Sequence, residues 1–166
     1  MEVFKMLPEG TLAEVIENTL YMSPAPNGQH QRIVADLLFK IRQYTEPNDL
    51  GLILPSPHDV YLDETSNAVE PDLIFILKEN MKIFNPDGDI HCVPDLLIEI
   101  LSPGNQTHDK VRKKDLYKKF GVKEYWIVDP STKEAIGYKL IEQRYSVIGE
   151  YVGEIKSQLL NHSFTF

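Results

Sequence analysis

The sequence lacks the features of a disulfide-stabilised, secreted or membrane-spanning protein. It contains one cysteine, Cys92, so no disulfide can form within the chain and nothing indicates an oxidising compartment. No apolar run approaches the ~20 residues of a membrane-spanning helix. The first residues, MEVFKMLPEGTLAEVIE, contain early acids and no continuous apolar segment, unlike a signal peptide. We therefore expect a cytoplasmic protein without a membrane partner, in which Cys92 is a small buried or half-buried side chain.

Positive charge is also scarce over most of the chain. The formal net charge of −8 argues against a protein that is basic overall and binds nucleic acid with its whole surface. The distribution is uneven, because residues 105–123 carry seven lysines and arginines against two aspartates, a local net charge of +5 that leaves −13 for the rest. This basic segment predicts either one face that binds an anion or a helix whose lysines simply point into water.

Two helices are predicted from apolar residues at helical spacing. The first covers about 14 residues within 30–44 and ends before Pro47. The second covers residues 107–120, with Thr107 as a possible cap and Gly121 as its C-terminal stop. Their order relative to the strands is helix, strands, helix, strands, which indicates an α+β (mixed α/β) fold with a central sheet.

The remaining segments are predicted to be strands and turns. Residues 11–22 form a short helix or strand that leads into a turn, and the strands between 52 and 101 follow one another without helices, so they are expected to be antiparallel. Residues 134–154 alternate like a β-hairpin with a loose turn near residues 142–144, and the C-terminal tail adds a last short strand. A length of 166 residues is typical of one domain, which we assign to residues 1–166.

The segment PDLLIEILSP, residues 94–103, contains a carboxylate in an unexpected place. Its apolar side chains fall on both faces of a strand, which is typical of a central strand covered on both sides. Glu99 lies in the middle of this strand. An ionised carboxylate there is costly unless a cation or strong hydrogen-bond donors meet it. The sequence therefore predicts a specific partner for Glu99.

Asp72, in EPDLIFIL, is the acid best placed to join Glu99. If the two strands are neighbours, these carboxylates lie side by side and repel each other, and Mg²⁺, which prefers oxygen ligands, would remove the conflict. The alternative is that Asp72 opens its strand at an exposed sheet edge. Asp95 shares a strand face with Glu99 but lies about 13 Å away, too far for one metal ion to bridge. We expect Asp95 to be a cap or a surface acid.

One lysine of the second helix falls on its apolar side. At about 100° per residue, Lys113 lies among Asp109, Leu116, Tyr117 and Phe120, whereas the other lysines point elsewhere. Burial disfavours the charged form of a lysine, so a phosphate or a metal-bound water beside the two acids would explain this position. The alternatives are an ion pair with Asp109, four residues earlier, or a side chain that extends outward to water.

Five phrases, spread over nearly the whole chain from Leu7 to Leu160, resemble the Uma family of restriction-endonuclease-like proteins. They are LYMSPAPNGQHQRIVADL, VEPDLIFIL, VPDLLIEILSP, DKVRKKDLYKKFGVKEYWIVDP and SQLL. That family belongs to the PD-(D/E)XK nuclease superfamily. The resemblance implies a restriction-endonuclease-like core, in which a central mixed β-sheet is flanked by helices, and one nuclease-like domain over residues 1–166. It also implies hydrolysis of phosphodiester bonds with the help of Mg²⁺ or a similar ion such as Mn²⁺.

The resemblance assigns candidate roles to individual residues. Asp72 and Glu99 match the family's metal-binding acids, and Glu14, in AEVIEN, matches an acid near the N-terminus that would help to hold the metal. The lysine that the superfamily usually places two positions after the second acid is replaced by Leu101. Lys113 matches a recurring lysine on the following helix.

Four further residues match recurring positions of the family. Asn18 stands where relatives usually carry glycine, and asparagine can also adopt a positive φ. His30 matches a recurring histidine before the first long helix, and we expect it to form hydrogen bonds at the helix start rather than to take part in chemistry. Tyr117 and Trp126 match recurring aromatic residues and are expected in the core.

Together these features predict a metal-dependent endonuclease that acts on nucleic acid, in the first instance DNA. Asp72, Glu99 and Lys113 would be catalytic, and Glu14 would join the two acids as a metal ligand. Contacts to the nucleic-acid backbone are assigned to Lys110, Arg112 and Lys114. We expect a homodimer, because nucleases that cut two strands commonly pair. Two alternatives stay open, namely a catalytically silent binding module on a nuclease scaffold and a metal-dependent hydrolase of a smaller phosphate.

Overall fold

A mixed β-sheet is the centre of the computed structural model, which describes residues 1–8, 10–102 and 108–166. Within those residues its six strands, in spatial order, are β10 (Arg144–Val152), β9 (Glu134–Ile141), β8 (Glu124–Val128), β7 (Leu96–Ile100), β6 (Leu73–Leu77) and β3 (Gly51–Pro55). Strands β7 and β8 are parallel, and the other neighbours are antiparallel. The predicted mixed sheet is confirmed, as is the antiparallel arrangement of its strands between residues 52 and 101.

Helix α1 (Gly28–Thr45) begins at an asparagine cap. The side-chain oxygen of Asn27 accepts a hydrogen bond of 2.9 Å from the backbone N–H of His30, which satisfies one of the free donors of the first turn. The apolar spacing of the sequence predicts this helix, but without residues 28, 29 and 45. The cap sets the residue at which α1 begins.

The connection from β7 to β8 contains a π-helical turn (His108–Lys113) that continues into helix α2 (Lys114–Phe120). Gly121 ends α2 with a φ of +89°, a conformation that suits glycine, so the predicted stop is confirmed. The proposed cap Thr107 lies outside the described residues. The π-helical turn was not predicted, because helical periodicity in a sequence does not distinguish α from π geometry over one or two turns.

Strand β7 is buried along its whole length because the sheet is covered on both faces. On one face, Leu37 and Ile41 of α1 belong to an apolar cluster with alternate β7 side chains. On the other face, Leu97 of β7 clusters with Leu116 and Tyr117 of α2. The prediction of a central strand, apolar on both sides, is therefore confirmed.

A smaller antiparallel sheet packs beside α2. Among the described residues it contains β2 (Thr19–Met22), β1 (Ala13–Ile16), β5 (Asn67–Val69) and β4 (Val60–Asp63), in that order. The β1–β2 pair is a hairpin closed by Glu17 and Asn18, whose φ angles of 50° and 61° are those of a tight two-residue turn. Asn18 thus adopts the positive φ that was predicted for it. The hairpin resolves the open choice between helix and strand for residues 11–22.

The C-terminal part forms two hairpins. Strands β9 and β10 are joined by Glu142 and Gln143, which both have positive φ (47° and 63°), so the turn is tight rather than loose. Strands β11 (Glu154–Ser157) and β12 (His162–Thr165) form the second hairpin, which includes the predicted last strand. No helix in the described part of the chain is long and apolar enough to cross a membrane. The expectation of a buried or half-buried Cys92 is wrong, because its side chain is exposed.

Candidate active site

A cavity of about 220 Å³ opens where β1, the N-terminus of α1, the strands β6 and β7 and the π-helical turn meet. Its titratable lining residues are Glu14, His30, Glu70, Asp72, Glu99 and Lys113. Four of these, namely Glu14, Asp72, Glu99 and Lys113, are the residues to which the sequence assigned the metal and the chemistry. The fold therefore brings together residues that lie up to 99 positions apart in the chain.

Asp72 lies opposite Glu99 on the neighbouring strand. Leu73 pairs with Ile98 in the β6–β7 ladder, and one further step along this antiparallel register brings residue 72 across from residue 99. The backbone N–H of Ile100 donates a 2.7 Å hydrogen bond to Oδ2 of Asp72, which ties the carboxylate to β7. Asp72 is thus held beside Glu99, and the alternative of an exposed edge acid is not what the fold shows.

Glu99 is buried, 3% exposed, and two side chains of the helical segment meet it. The Nζ atom of Lys113 lies 3.0 Å from its Oε1, and the hydroxyl of Tyr117 donates a 2.7 Å hydrogen bond to the same oxygen. Burial, together with the nearby charge of Glu99, raises the pKa of the Tyr117 hydroxyl well above its ordinary value. Tyr117 therefore stays protonated as a donor, so its role is wider than the core packing predicted for it.

Lys113 is the buried cation of the cavity, 4% exposed, and it does not extend outward to water. Its Nζ atom lies 2.8 Å from Oε1 of Glu14 as well as 3.0 Å from Glu99, so it bridges β1 and β7. The Glu14 oxygen also accepts the backbone N–H of Glu70 at 2.9 Å. The possible pair with Asp109 involves a side chain outside the described residues. Burial beside two carboxylates explains why this one lysine faces the apolar side of its helix.

Carboxylates outnumber cations around this cavity. Burial, followed by the negative charges of Asp59 and Glu14, raises the pKa of Glu70 to about 7. Burial, followed by the charges of Asp89 and Glu14, raises the pKa of Asp59 to about 6. Lys113 lowers the pKa of Glu70 but does not offset these effects. The cavity therefore has the electrostatic character of a site for a cation.

Sequence reasoning missed Glu70 and underestimated His30 as lining residues. Glu70 stands two positions before Asp72, so the period of a strand already placed both on one face. His30 approaches Asp72 closely, with Nε2 3.1 Å from Oδ1 and 3.2 Å from Oδ2. No local pattern in the sequence predicts this contact, because it depends on how α1 docks on the sheet.

The donor set suits Mg²⁺ better than a metal that needs a complete protein cage. Among the described residues, no group of three or more His, Cys, Asp or Glu side chains is arranged to hold a metal ion. Mg²⁺ takes oxygen ligands, keeps several waters and is commonly held by one or two carboxylates together with substrate phosphates. The carboxylates of Asp72 and Glu99, and the surplus negative charge shown by Glu70, fit that mode of binding.

The other predicted residues lie away from the cavity. Arg112 is exposed, with its guanidinium 5.1 Å from the ring centre of Tyr21, and Lys114 lies 5.1 Å from that of Tyr138. Lys110 is exposed. These three cations are on the helical segment that carries Lys113, but within the described residues none of them lines the cavity.

Two buried acids that do not line the cavity have structural partners. Asp95 is not a surface acid, because it is buried and ion-paired with Lys123 at 2.8 Å. Glu124 accepts a 2.8 Å hydrogen bond from the indole N–H of Trp126, which is in the core as predicted. The partners of Asp95 are remote in sequence, so its burial could not be predicted from the strand start alone.

The family model described as "Uma2: Putative restriction endonuclease" matches residues 1–158. This chain belongs to the Uma2 family. No curated protein sequence matches it. Among solved structures, one described as "a putative nuclease belonging to DUF820" from Anabaena variabilis ATCC 29413 is similar, with a TM-score of 0.71. The two chains are 22% identical, and the match covers 88% of this chain and 82% of that one. At this level of identity the likeness shows a shared fold.

Membership of the Uma2 family confirms the resemblance that was read from the sequence, and the likeness to a nuclease structure confirms the expected fold. The structure also accounts for the unusual position of the lysine. Leu101, at the position where the resemblance predicted a lysine, is buried in an apolar cluster. Lys113 reaches Glu99 from the following helical segment instead, so a lysine is still present at the acid.

Proposed function

We propose that this Uma2-family protein is a metal-dependent endonuclease that hydrolyses phosphodiester bonds of DNA, with Mg²⁺ or Mn²⁺ as its ion. The convergence of Glu14, Asp72, Glu99 and Lys113 on one cavity is the observation that supports this proposal most directly. Family membership supports nuclease chemistry over other uses of a carboxylate cluster. The excess of acids gives a physical reason for a divalent cation to bind there.

Asp72 and Glu99 would hold the ion. Glu14, which pairs with Lys113 in this arrangement, would become a further ligand only after its side chain moves toward the ion. The main-chain donor on Asp72 and the hydroxyl donor on Glu99 fix both carboxylates before any ion arrives. A bound divalent ion supplies a water of lowered pKa and neutralises charge that develops on the phosphate. The two acids would thus place the scissile phosphate at the cavity mouth.

Lys113 would act on the attacking water or on the phosphate. Its ammonium group is buried between Glu14 and Glu99, and two carboxylates at 2.8 and 3.0 Å favour the charged form. A charged ammonium donates hydrogen bonds and accepts no proton. We therefore assign to Lys113 the orientation of the attacking water or the stabilisation of negative charge on the phosphate, rather than the removal of a proton.

The exposed cations of the same helical segment would bind the nucleic-acid backbone. Lys110 and Arg112 are exposed and Lys114 is half-buried, on the element that also carries Lys113. Contacts of this kind position the substrate but do not read its sequence. We extend the proposal to a homodimer in the cytoplasm, in which each copy would cut one strand.

The experiment that tests this function is a nicking assay on supercoiled plasmid DNA, with Mg²⁺, with Mn²⁺ and with a chelator. We expect cleavage to need the ion. D72N should lower the rate by more than the ~10–100-fold that loss of an outer partner of a metal site costs. D95N is the control, because Asp95 is an even more deeply buried acid that lies outside the cavity, and it should retain activity.

Two other outcomes of these assays would favour the alternative functions. Binding of Mn²⁺ without cleavage of DNA or RNA would contradict the proposal and favour a silent binding module. Hydrolysis of a small phosphate ester that short duplex DNA does not inhibit would favour the other alternative. Cleavage of DNA should fall steeply as salt rises, because backbone contacts release counterions.

A further inference from the structure

The imidazole of His30 contacts the carboxylate of Asp72. His30 lies in the first turn of α1, lines the cavity and is 4% exposed. Its Nε2 atom lies 3.1 Å from Oδ1 and 3.2 Å from Oδ2 of Asp72, nearly midway between the two oxygens. This contact joins helix α1 to the end of the sheet at which β6 begins and β7 ends, where the candidate site lies.

The other ring nitrogen of His30 limits what the imidazole can do. Nδ1 is buried and has no hydrogen-bond partner among the described residues. A buried N–H without an acceptor is costly, whereas Nε2 faces a carboxylate that can only accept. The tautomer that satisfies both conditions carries its proton on Nε2. His30 therefore donates to Asp72 through that proton.

From this geometry we infer that His30 is a positioning residue, which fixes the Asp72 carboxylate in the orientation that binds the metal ion. Among the described residues, two donors hold Asp72, namely Nε2 of His30 from α1 and the backbone N–H of Ile100 from β7. Because the donors come from two elements, they prevent rotation of the carboxylate about its bond to Cβ. This inference rests on the proposed function, since it gives Asp72 the role of a metal ligand.

A purely structural role for the pair is less consistent with its surroundings. The docking of α1 already depends on an apolar face that includes Ile33, Val34, Leu37 and Ile41. The buried Nδ1 adds a desolvation cost that an apolar side chain at this position would avoid. His30 thus contributes a directed donor to one carboxylate at a net cost to packing. That pattern is typical of outer partners that orient metal ligands.

The test measures Mn²⁺ binding to the full chain by isothermal titration calorimetry, with no substrate present. We expect H30L to weaken Mn²⁺ binding by about tenfold or more. H30Q, which offers an amide N–H at a similar reach, should restore most of the affinity. N27A is the matched structural control, because it removes the cap on the His30 backbone but keeps the imidazole. It should lower Tm and leave Mn²⁺ affinity within about twofold.

The failure of this inference can be distinguished from the failure of the proposed function. If D72N weakens Mn²⁺ binding and H30L does not, His30 has no positioning role although Asp72 is a ligand. If neither D72N nor H30L changes the Mn²⁺ affinity, Asp72 is not a metal ligand. The positioning role of His30 is then wrong as well. Should H30L not fold, H30N replaces it, since its shorter amide stays polar but does not reach Asp72. Wild-type affinity in H30N would then overturn the inference.

Discussion

Strand β7 carries a buried carboxylate at each end, and the two are held in different ways. Asp95, 2% exposed, comes just before the strand, and Glu99 lies near its end. Each is paired with a lysine, because Nζ of Lys123 lies 2.8 Å from Asp95 and Nζ of Lys113 lies 3.0 Å from Glu99. What differs is the surroundings of each pair.

At the Asp95 end, two neutral donors and a partly exposed lysine contact the carboxylate. The backbone N–H of Leu77 donates to Oδ2 at 2.8 Å, and the amide of Asn80 donates to the same oxygen at 3.2 Å. Lys123 is 49% exposed, so it keeps much of its contact with water. Asp95 lies outside the cavity, and its partners would be satisfied without any ligand.

At the Glu99 end, a buried lysine is shared between acids. Lys113 also pairs with Glu14, and the same cavity is lined by Asp72 and Glu70. A buried acid with its own donors is thus a structural feature, whereas several acids around one buried cation are a candidate site. The number of carboxylates per cation, rather than burial alone, separates the two ends of β7.

The largest expected effect is on stability when the lysine at each end is removed. K113M leaves two buried carboxylates without their cation, so we expect the free energy of unfolding to fall by about 3–5 kcal/mol. K123M removes a half-exposed lysine, and Asp95 keeps its two neutral donors, so the loss should be about 1 kcal/mol or less. Urea unfolding followed by circular dichroism measures both. Equal losses in the two variants would show that the ends are alike.

A smaller effect is expected from the hydroxyl that donates to Glu99. Y117F removes a hydrogen bond to a buried carboxylate and should cost about 1.5–3 kcal/mol, again measured by urea unfolding. Y145F is the matched control, because the Tyr145 hydroxyl donates to the neutral carbonyl of Val122 at 2.9 Å. Its loss should cost about 0.5–1.5 kcal/mol. If Y117F costs no more than Y145F, the Tyr117 hydroxyl does not stabilise an ionised Glu99.

Features set by local sequence were predicted well. The nearly continuous apolar run in PDLLIEILSP indicated a strand covered on both faces. The side of the helix that carries Lys113 followed from its spacing relative to Leu116 and Tyr117. Gly121 and Asn18 adopt positive φ as expected. These predictions hold because the period of an element fixes which side chains share a face.

Features set by the docking of distant elements were not predicted. The approach of His30 to Asp72 depends on the angle at which α1 crosses the sheet, which no local pattern encodes. Glu14 was assigned through the family resemblance and not through the geometry of β1. The tight turn at Glu142–Gln143 was also missed, because neither residue is the glycine or asparagine that usually indicates such a turn. In each case the deciding contact is tertiary, or a local signal is absent.

The smallest expected effect is a pH dependence of stability that comes from Glu70, which lines the cavity at the Glu99 end of β7. The raised pKa of Glu70, about 7, means that the folded protein holds this proton more tightly than the unfolded chain, where the pKa is near 4.5. The cost of ionising Glu70 is therefore absent below about pH 4.5, grows as pH rises toward 7, and is full above that. E70Q removes this cost, so its advantage over wild type should appear only at higher pH.

Thermal unfolding with a chelator and low salt, at pH 4.5 and at pH 8, checks this sign. Because Glu70 is half-buried and screened by water, we expect the Tm of E70Q to exceed that of wild type by only about 1–3 °C at pH 8, with no difference at pH 4.5. E142Q, which removes an exposed charge in the β9–β10 turn, should show no pH-dependent difference. A higher relative Tm of E70Q at pH 4.5 than at pH 8 would reverse the sign. It would then contradict the raised pKa that burial and the neighbouring carboxylates give to Glu70.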